Sequence, residues 1–160
     1  MAQADYERSV QQSLFDRLID SDPDHRAEAP LTRAESLRRL RASVRRDLEW
    51  LLNTVRTGEV PEALQELKKS LYTYGLPDIS SMSLESAQDG ERLLRSLETS
   101  IALFEPRLSN IRVTCDEKIS RKRMAIDFHV EALLLMDPAP ERISFDTVFE
   151  VARGVYKVKD

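Results

Sequence analysis

The sequence predicts an α+β fold: three helices packed on a three-stranded antiparallel sheet. Two observations carry this. Apolar residues recur every three or four positions from Leu37 to Phe104, and every second position in the runs beyond Ile111. The links between the alternating runs, Asp116 to Arg123 and Asp137-Pro138-Ala139-Pro140, are short enough for a meander.

The first long helix is expected over about 32–56. Thr32-Arg33-Ala34-Glu35 matches a capping box, in which the threonine hydroxyl accepts from the Glu35 amide. Leu37, Leu40, Val44, Leu48, Leu51 and Val55 follow as a core stripe, and Thr57-Gly58 marks the stop. A second, short helix is expected over about 61–73, with Pro61 in its first turn and Leu64, Leu67 and Leu71 on one face. Gly75 supplies a left-handed stop, and Pro77 prevents resumption. A third helix is expected over about 84–104, capped by Ser83, with Ala87, Leu94, Leu97, Ile101 and Phe104 sharing a face. Gly90 inside it costs about 1 kcal/mol relative to alanine and marks a possible break.

Three strands are expected over about 109–116, 123–135 and 142–152. Their inward positions are Ile111, Val113 and Cys115; Met124, Ile126, Phe128 and Val130; and Ile143, Phe145, Thr147, Phe149 and Val151. A meander of three leaves open edges near Ile111–Cys115 and Ile143–Val151, and an open edge invites another chain. The 143–151 edge is favoured, because Arg112 and Thr114 make the other short and polar.

Residues 1–30 read as a polar tail and 31–160 as one domain. Within the tail, Leu14, Phe15, Leu18 and Ile19 form one face of a short helix at about 13–19. A solvated tail gains nothing from four large apolar groups, so this helix is expected to dock.

Composition excludes several classes. The 160 residues carry 24 basic and 28 acidic side chains, a net charge of −4, which does not suit a basic nucleic-acid binder. One cysteine allows no intrachain disulfide, and Cys115 with His25 and His129 makes a poor metal set. No cofactor or metal is therefore expected. Asp127, His129 and Glu131 alternate on one strand and read as the wet side of a half-buried sheet. No secretory signal and no membrane-spanning run is visible, so the expected setting is the cytoplasm, without membrane insertion. Paired carboxylates for glycoside hydrolysis are always available among 28 acidic residues, so they carry no signal. Nucleophile elbows, zinc-protease motifs and nucleotide loops are not found.

Two constellations remain. Arg39, Arg46 and Trp50 fall on one side of the first helix, away from the leucines, and Trp and Arg are common binding anchors. Glu105-Pro106-Arg107 ends the third helix. Proline stops the helix at Glu105, leaving a glutamate at the unfavourable end of the helix dipole. A local Glu–Arg pair is one reading; a charged knuckle whose side chains engage a partner is the other.

Four strings then fall into a known pattern. Arg46-Asp47-Leu48-Glu49-Trp50-Leu51-Leu52-Asn53-Thr54 resembles the first-helix signature of the TssE family, baseplate subunits of type VI secretion systems. Ser70 to Asp78, with its Tyr74-Gly75-Leu76-Pro77-Asp78 turn, resembles its second signature. Phe104-Glu105-Pro106-Arg107-Leu108 is similar to its third, shared with the phage wedge protein called gene product twenty-five. Ser13-Leu14-Phe15-Asp16-Arg17-Leu18 resembles the N-terminal motif. One departure is Val55, where the family often has arginine.

The resemblance implies a non-enzymatic structural subunit that sits with TssF, TssG and TssK and joins the wedge to the TssB–TssC sheath. It implies interface roles for Glu105, Pro106 and Arg107, and it suggests an extended sheath arm as the strand added at the open edge. The family's lysozyme-like label suggests the alternative, a peptidoglycan-cleaving hydrolase.

Overall fold

The structure is a computed structural model. It describes residues 13–19, 32–58, 60–61, 63–78, 86–115, 125–151 and 153–159. The expectations placed on 1–12, on the 20–30 part of the tail, on the Ser83 cap and on the 116–124 link lie outside the described residues.

The chain runs α1 (Leu14–Leu18), α2 (Arg33–Leu52), two 3₁₀ turns (Gln65–Lys69 and Leu71–Thr73) and α3 (Ala87–Phe104). It continues through β1 (Leu108–Cys115), β2 (Ala125–Leu134), β3 (Glu141–Glu150) and β4 (Val155–Lys159). The strands form one antiparallel meander in the order β1-β2-β3-β4.

The α+β class stands, but the sheet has four strands, not three. The fourth was missed because Val155–Lys159 is only five residues long and three of them are exposed. Its inward pair, Tyr156 and Val158, is the whole periodic signal. The consequence is a correction: β3 lies inside the sheet, so Ile143–Val151 is not an edge strand. The edges are β1 and β4.

The helix at 61–73 is also corrected. The segment forms 3₁₀ turns, and Leu71 is 89% exposed instead of facing a core. With no buried face, nothing holds the segment to α-helical geometry. α2 ends at Leu52, earlier than Thr57-Gly58, and Val55 leaves the stripe to bridge Leu76 in parallel. Within α3, Gly90 causes no break, Ser86 is the N-cap, and Leu93 lies deeper than Leu94.

One core joins the helices to the inner sheet face. Leu40, Val44, Leu48 and Leu51 of α2 meet Leu93, Leu97 and Ile101 of α3 over Phe128, Val130, Phe145, Phe149 and Tyr156. Each fully buried large side chain contributes about 1.5–3 kcal/mol. α3 packs beside β1, and α2 beside β4.

Both sheet edges are partly covered. On β1, the amide of Val113 donates to Glu98 Oε1 of α3 at 2.8 Å. A register irregularity lies between Ser109 and Arg112, and Asn110 has a φ of 51°. On β4, the side-chain amide of Asn53 acts as a one-residue strand. Its Oδ1 accepts from the Tyr156 amide and its Nδ2 donates to the Tyr156 carbonyl, each at 2.8 Å.

The turn after the 3₁₀ segment is fixed from two sides. The Leu76 amide donates to the Thr54 carbonyl and the Arg56 amide to the Leu76 carbonyl, each at 2.8 Å. Gly75 has a φ of 112°, and a Cβ there would fall 2.2 Å from the Thr54 carbonyl oxygen. Only glycine fits. Tyr74 is thereby set edge-on against Phe104, with ring centroids 5.2 Å apart.

Candidate functional site: a groove built from the motif strings

The end of α3 creates the first element of the site. Glu105 has φ −118° and ψ 78°, outside helical geometry, as proline at the next position requires. Its amide still caps the helix, donating to the Ile101 carbonyl at 2.9 Å. The chain turns at once into β1, and the Arg107 carbonyl accepts from the Leu135 amide at 2.8 Å. The knuckle is thus anchored to helix and sheet.

Glu105 is buried, and Arg107 closes over it in a fork. Nε reaches Glu105 Oε1 at 2.6 Å and Nη2 reaches Oε2 at 2.5 Å. Arg107 then crosses to α2, where Nη2 meets Asp47 Oδ2 at 2.6 Å and Nη1 donates to Ser43 Oγ at 2.9 Å. Burial alone would lower the guanidinium pKa, but the carboxylates of Glu105 and Asp47 raise it above its usual range. This is a bidentate, charge-assisted clamp. The local Glu–Arg pair is therefore present and extends to α2, with both charges satisfied within the chain.

α2 supplies the second element. Arg46 and Trp50 lie together, one turn apart, as their spacing predicts. The Arg46 guanidinium sits 5.1 Å from the Trp50 ring centroid and 5.3 Å from that of Phe15. It also pairs with Asp47 at 2.9 Å and with Asp16 at 2.8 Å. Arg39, two turns earlier, is exposed.

α1 is the third element, and it lies against α2. Ser13 caps it and bonds the Asp16 carboxylate. Asp16 Oδ2 also accepts from Ser43 Oγ at 2.6 Å. Phe15 meets Trp50 edge-on, centroids 6.4 Å apart. Burial pushes the Asp16 pKa up, but the hydrogen bonds from Ser13, Ser43 and Arg46 outweigh it and hold the group below its ordinary 3.8. Phe15 with Asp16 makes the contact with α2, while Leu14 and Leu18 are 72% and 74% exposed.

These elements line one open groove of about 670 Å³. Phe15, Trp50, Tyr74 and Phe104 give it aromatic walls, and Arg46, Asp47, Glu105 and Arg107 give it charge. All four motif strings reach it. Of the predicted site residues, Glu105, Pro106, Arg107, Arg46, Trp50 and Phe15 come together here; Arg39, Leu14 and Leu18 are not among its walls. Sequence reasoning missed Asp16, Ser43, Asp47, Tyr74 and Phe104 as site residues. A serine beside a leucine stripe was the available signal for Ser43. Asp47 had read only as an interruption of positive charge.

Asp127, His129 and Glu131 do lie on the outer sheet face, where His129 Nδ1 meets Asp146 Oδ1 at 2.6 Å. Among the described residues, no cluster of three metal-ligating side chains occurs, and no helix is long and apolar enough to cross a membrane.

The fold is thus a four-stranded meander backed by helices, with a groove at the end of α3 where the motif strings converge. The family described as "Baseplate wedge protein gp25" matches residues 38–139, more than half of the chain. The chain belongs to that family. No curated protein matches it. A solved chain described as "The baseplate complex from the type VI secretion system" is similar at 22% identity, with a TM-score of 0.48, over 69% of this chain and 94% of that one.

Proposed function

We propose that this protein is a non-enzymatic structural subunit of a type VI secretion baseplate, working on the cytoplasmic side of the inner membrane. In this reading it joins the wedge proteins TssF, TssG and TssK to the TssB–TssC sheath. The observation that carries it is the groove. Strings far apart in sequence, each resembling a TssE motif, meet in one open aromatic and charged surface. Trp and Arg at such a place suit a protein partner.

Sheath attachment by strand addition would use β4, an edge of the sheet. Tyr156 turns its amide and carbonyl outward, where Asn53 holds both, so an incoming arm would pair at Val158, two residues on, or displace the Asn53 side chain. A sheath arm would pair there, templating the first ring. Lys157 and Lys159 flank the position and disfavour indiscriminate pairing.

Co-expression with the neighbouring wedge proteins tests the reading. Trp50→Ala should leave the protein folded and reduce its recovery with them. Undiminished recovery from Trp50→Ala together with Tyr74→Ala would remove the groove from the interface. The hydrolase reading is tested on purified cell wall. Turnover abolished by a single carboxylate substitution would overturn the structural assignment.

A further inference from the structure

α1 is a single turn of five residues with no buried member. A helix this short is unstable alone, so it exists because of what it touches. Those contacts are few and mostly polar. Asp16 binds Ser43 and Arg46; Phe15 lies against Trp50 and under Arg46. Phe15 remains 54% exposed. Nothing in this set resembles the locked packing of the core.

Each polar contact also leads onward. Ser43 Oγ donates to Asp16 and, through its lone pairs, accepts from Arg107. Arg46 pairs with Asp16 and Asp47, and Asp47 pairs with Arg107. Two parallel bridges therefore connect α1 to the Glu105–Arg107 clamp. A hydroxyl that donates to a carboxylate becomes a better acceptor, so the bridges reinforce one another.

We propose that α1 is a reversible latch on the Arg46–Trp50 face, coupled through Ser43 and Asp47 to the Glu105–Arg107 clamp. Closed, it forms one wall of the groove and holds Arg107 in place from the α2 side. Open, it removes Phe15 from the half-exposed Trp50 and frees Arg46 and Ser43 to meet something else. A disturbance of Arg107 in the groove loosens α1, and release of α1 loosens Arg107. The latch does not depend on which partner occupies the groove.

Trp50 is the only tryptophan, so its fluorescence in the full chain reads the latch directly. Acrylamide quenching of Trp50 and hydrogen exchange at the Arg17 amide, which donates to the Ser13 carbonyl, are measured together. Asp16→Asn and Phe15→Ala should each shift the closed-to-open ratio by about tenfold, the effect of losing one charge-assisted bond or ring contact. Quenching rises, Arg17 protection falls, and far-ultraviolet dichroism stays that of the folded core. Leu14→Ala, on the exposed face, should change neither. Arg107→Lys keeps the charge but loses the fork, and it should move both signals in the same direction as Asp16→Asn. The proposal is overturned if Asp16→Asn and Phe15→Ala leave both signals at the parent values. It is equally overturned if Arg107→Lys leaves the latch as tight as before.

Discussion

Arg107 and Asp47, 60 positions apart in sequence, meet through Nη2 and Oδ2 at 2.6 Å and tie the start of β1 to α2. The same guanidinium covers the buried Glu105 carboxylate. The pair makes the Glu-Pro-Arg string a joint between helix, helix and sheet.

Removing the arginine should therefore cost stability. Arg107→Ala leaves the Glu105 charge, whose side chain is 5% exposed, without its counter-ion. Breaking a buried pair from one side costs about 3–5 kcal/mol, and the partial exposure of Arg107 and Asp47 reduces this to about 2–3 kcal/mol. Urea unfolding should show that loss with an unchanged m-value. Arg107→Ala melting at the parent temperature would mean that the clamp carries no weight and the motif serves only partners.

Asn53 gives a second prediction. Its side chain takes both outward backbone groups of Tyr156, and Asn53→Ala leaves them to water or to a neighbouring chain. The expected cost is about 1–2 kcal/mol. Hydrogen exchange across Val155–Lys159 should quicken while β2 stays protected. Asn53→Asp is the sharper probe. It keeps an acceptor for the Tyr156 amide but turns an oxygen toward the Tyr156 carbonyl, so it should be at least as damaging. An unchanged β4 in both variants would remove the clasp.

How much of this was legible in the sequence follows from the physics of each element. The α2 stripe and the inward residues of β2 and β3 were readable because burial imposes a strict period. The Thr32 cap was readable because the threonine and Glu35 sit three residues apart, and Oγ1 does accept from the Glu35 amide at 3.3 Å. β4 was not, since a five-residue strand offers two inward positions. The 61–73 segment misled because its leucines keep helical spacing without a surface to bury them. In the groove, Trp50 and Arg107 announced themselves by residue type. Asp16, Ser43 and Asp47 did not, because their roles come from long-range pairing that no local pattern encodes.

Acid should release α1. The folded Asp16 carboxyl lies below its ordinary value, despite burial, because Ser13, Ser43 and Arg46 favour the charged form. Its stabilisation is thus present above the unfolded value, near 3.8, and is lost as pH falls through the folded one. Trp50 emission followed downward in pH should show a step below that value, before or within acid unfolding. Asp16→Asn should abolish the step. A step of the same size in Asp16→Asn would assign it to another carboxylate.

Alkali tests the core from the opposite side. Burial pushes the Tyr156 phenol far above its ordinary 10.0; the ring stacks on Phe149 and lies tilted against Phe128. Its hydroxyl finds no hydrogen-bond partner among the described residues, and neither does the Thr147 hydroxyl. The folded protein therefore favours the neutral phenol. The stability this provides is complete below the unfolded value near 10 and is lost as pH rises above it toward the folded value. Tyr156→Phe removes the titration and a buried unsatisfied group together, so it should stabilise by up to about 1 kcal/mol at neutral pH. It should also flatten the alkaline limb of the stability curve, leaving the smaller part due to Tyr74, whose phenol is raised by burial and by the charges of Asp47 and Glu105. Thr147→Val should stabilise at neutral pH without altering that limb, because threonine does not titrate. Urea titrations of the three proteins from pH 7 to 11 separate the two effects. An alkaline limb equally steep in Tyr156→Phe would show that this phenol does not govern it.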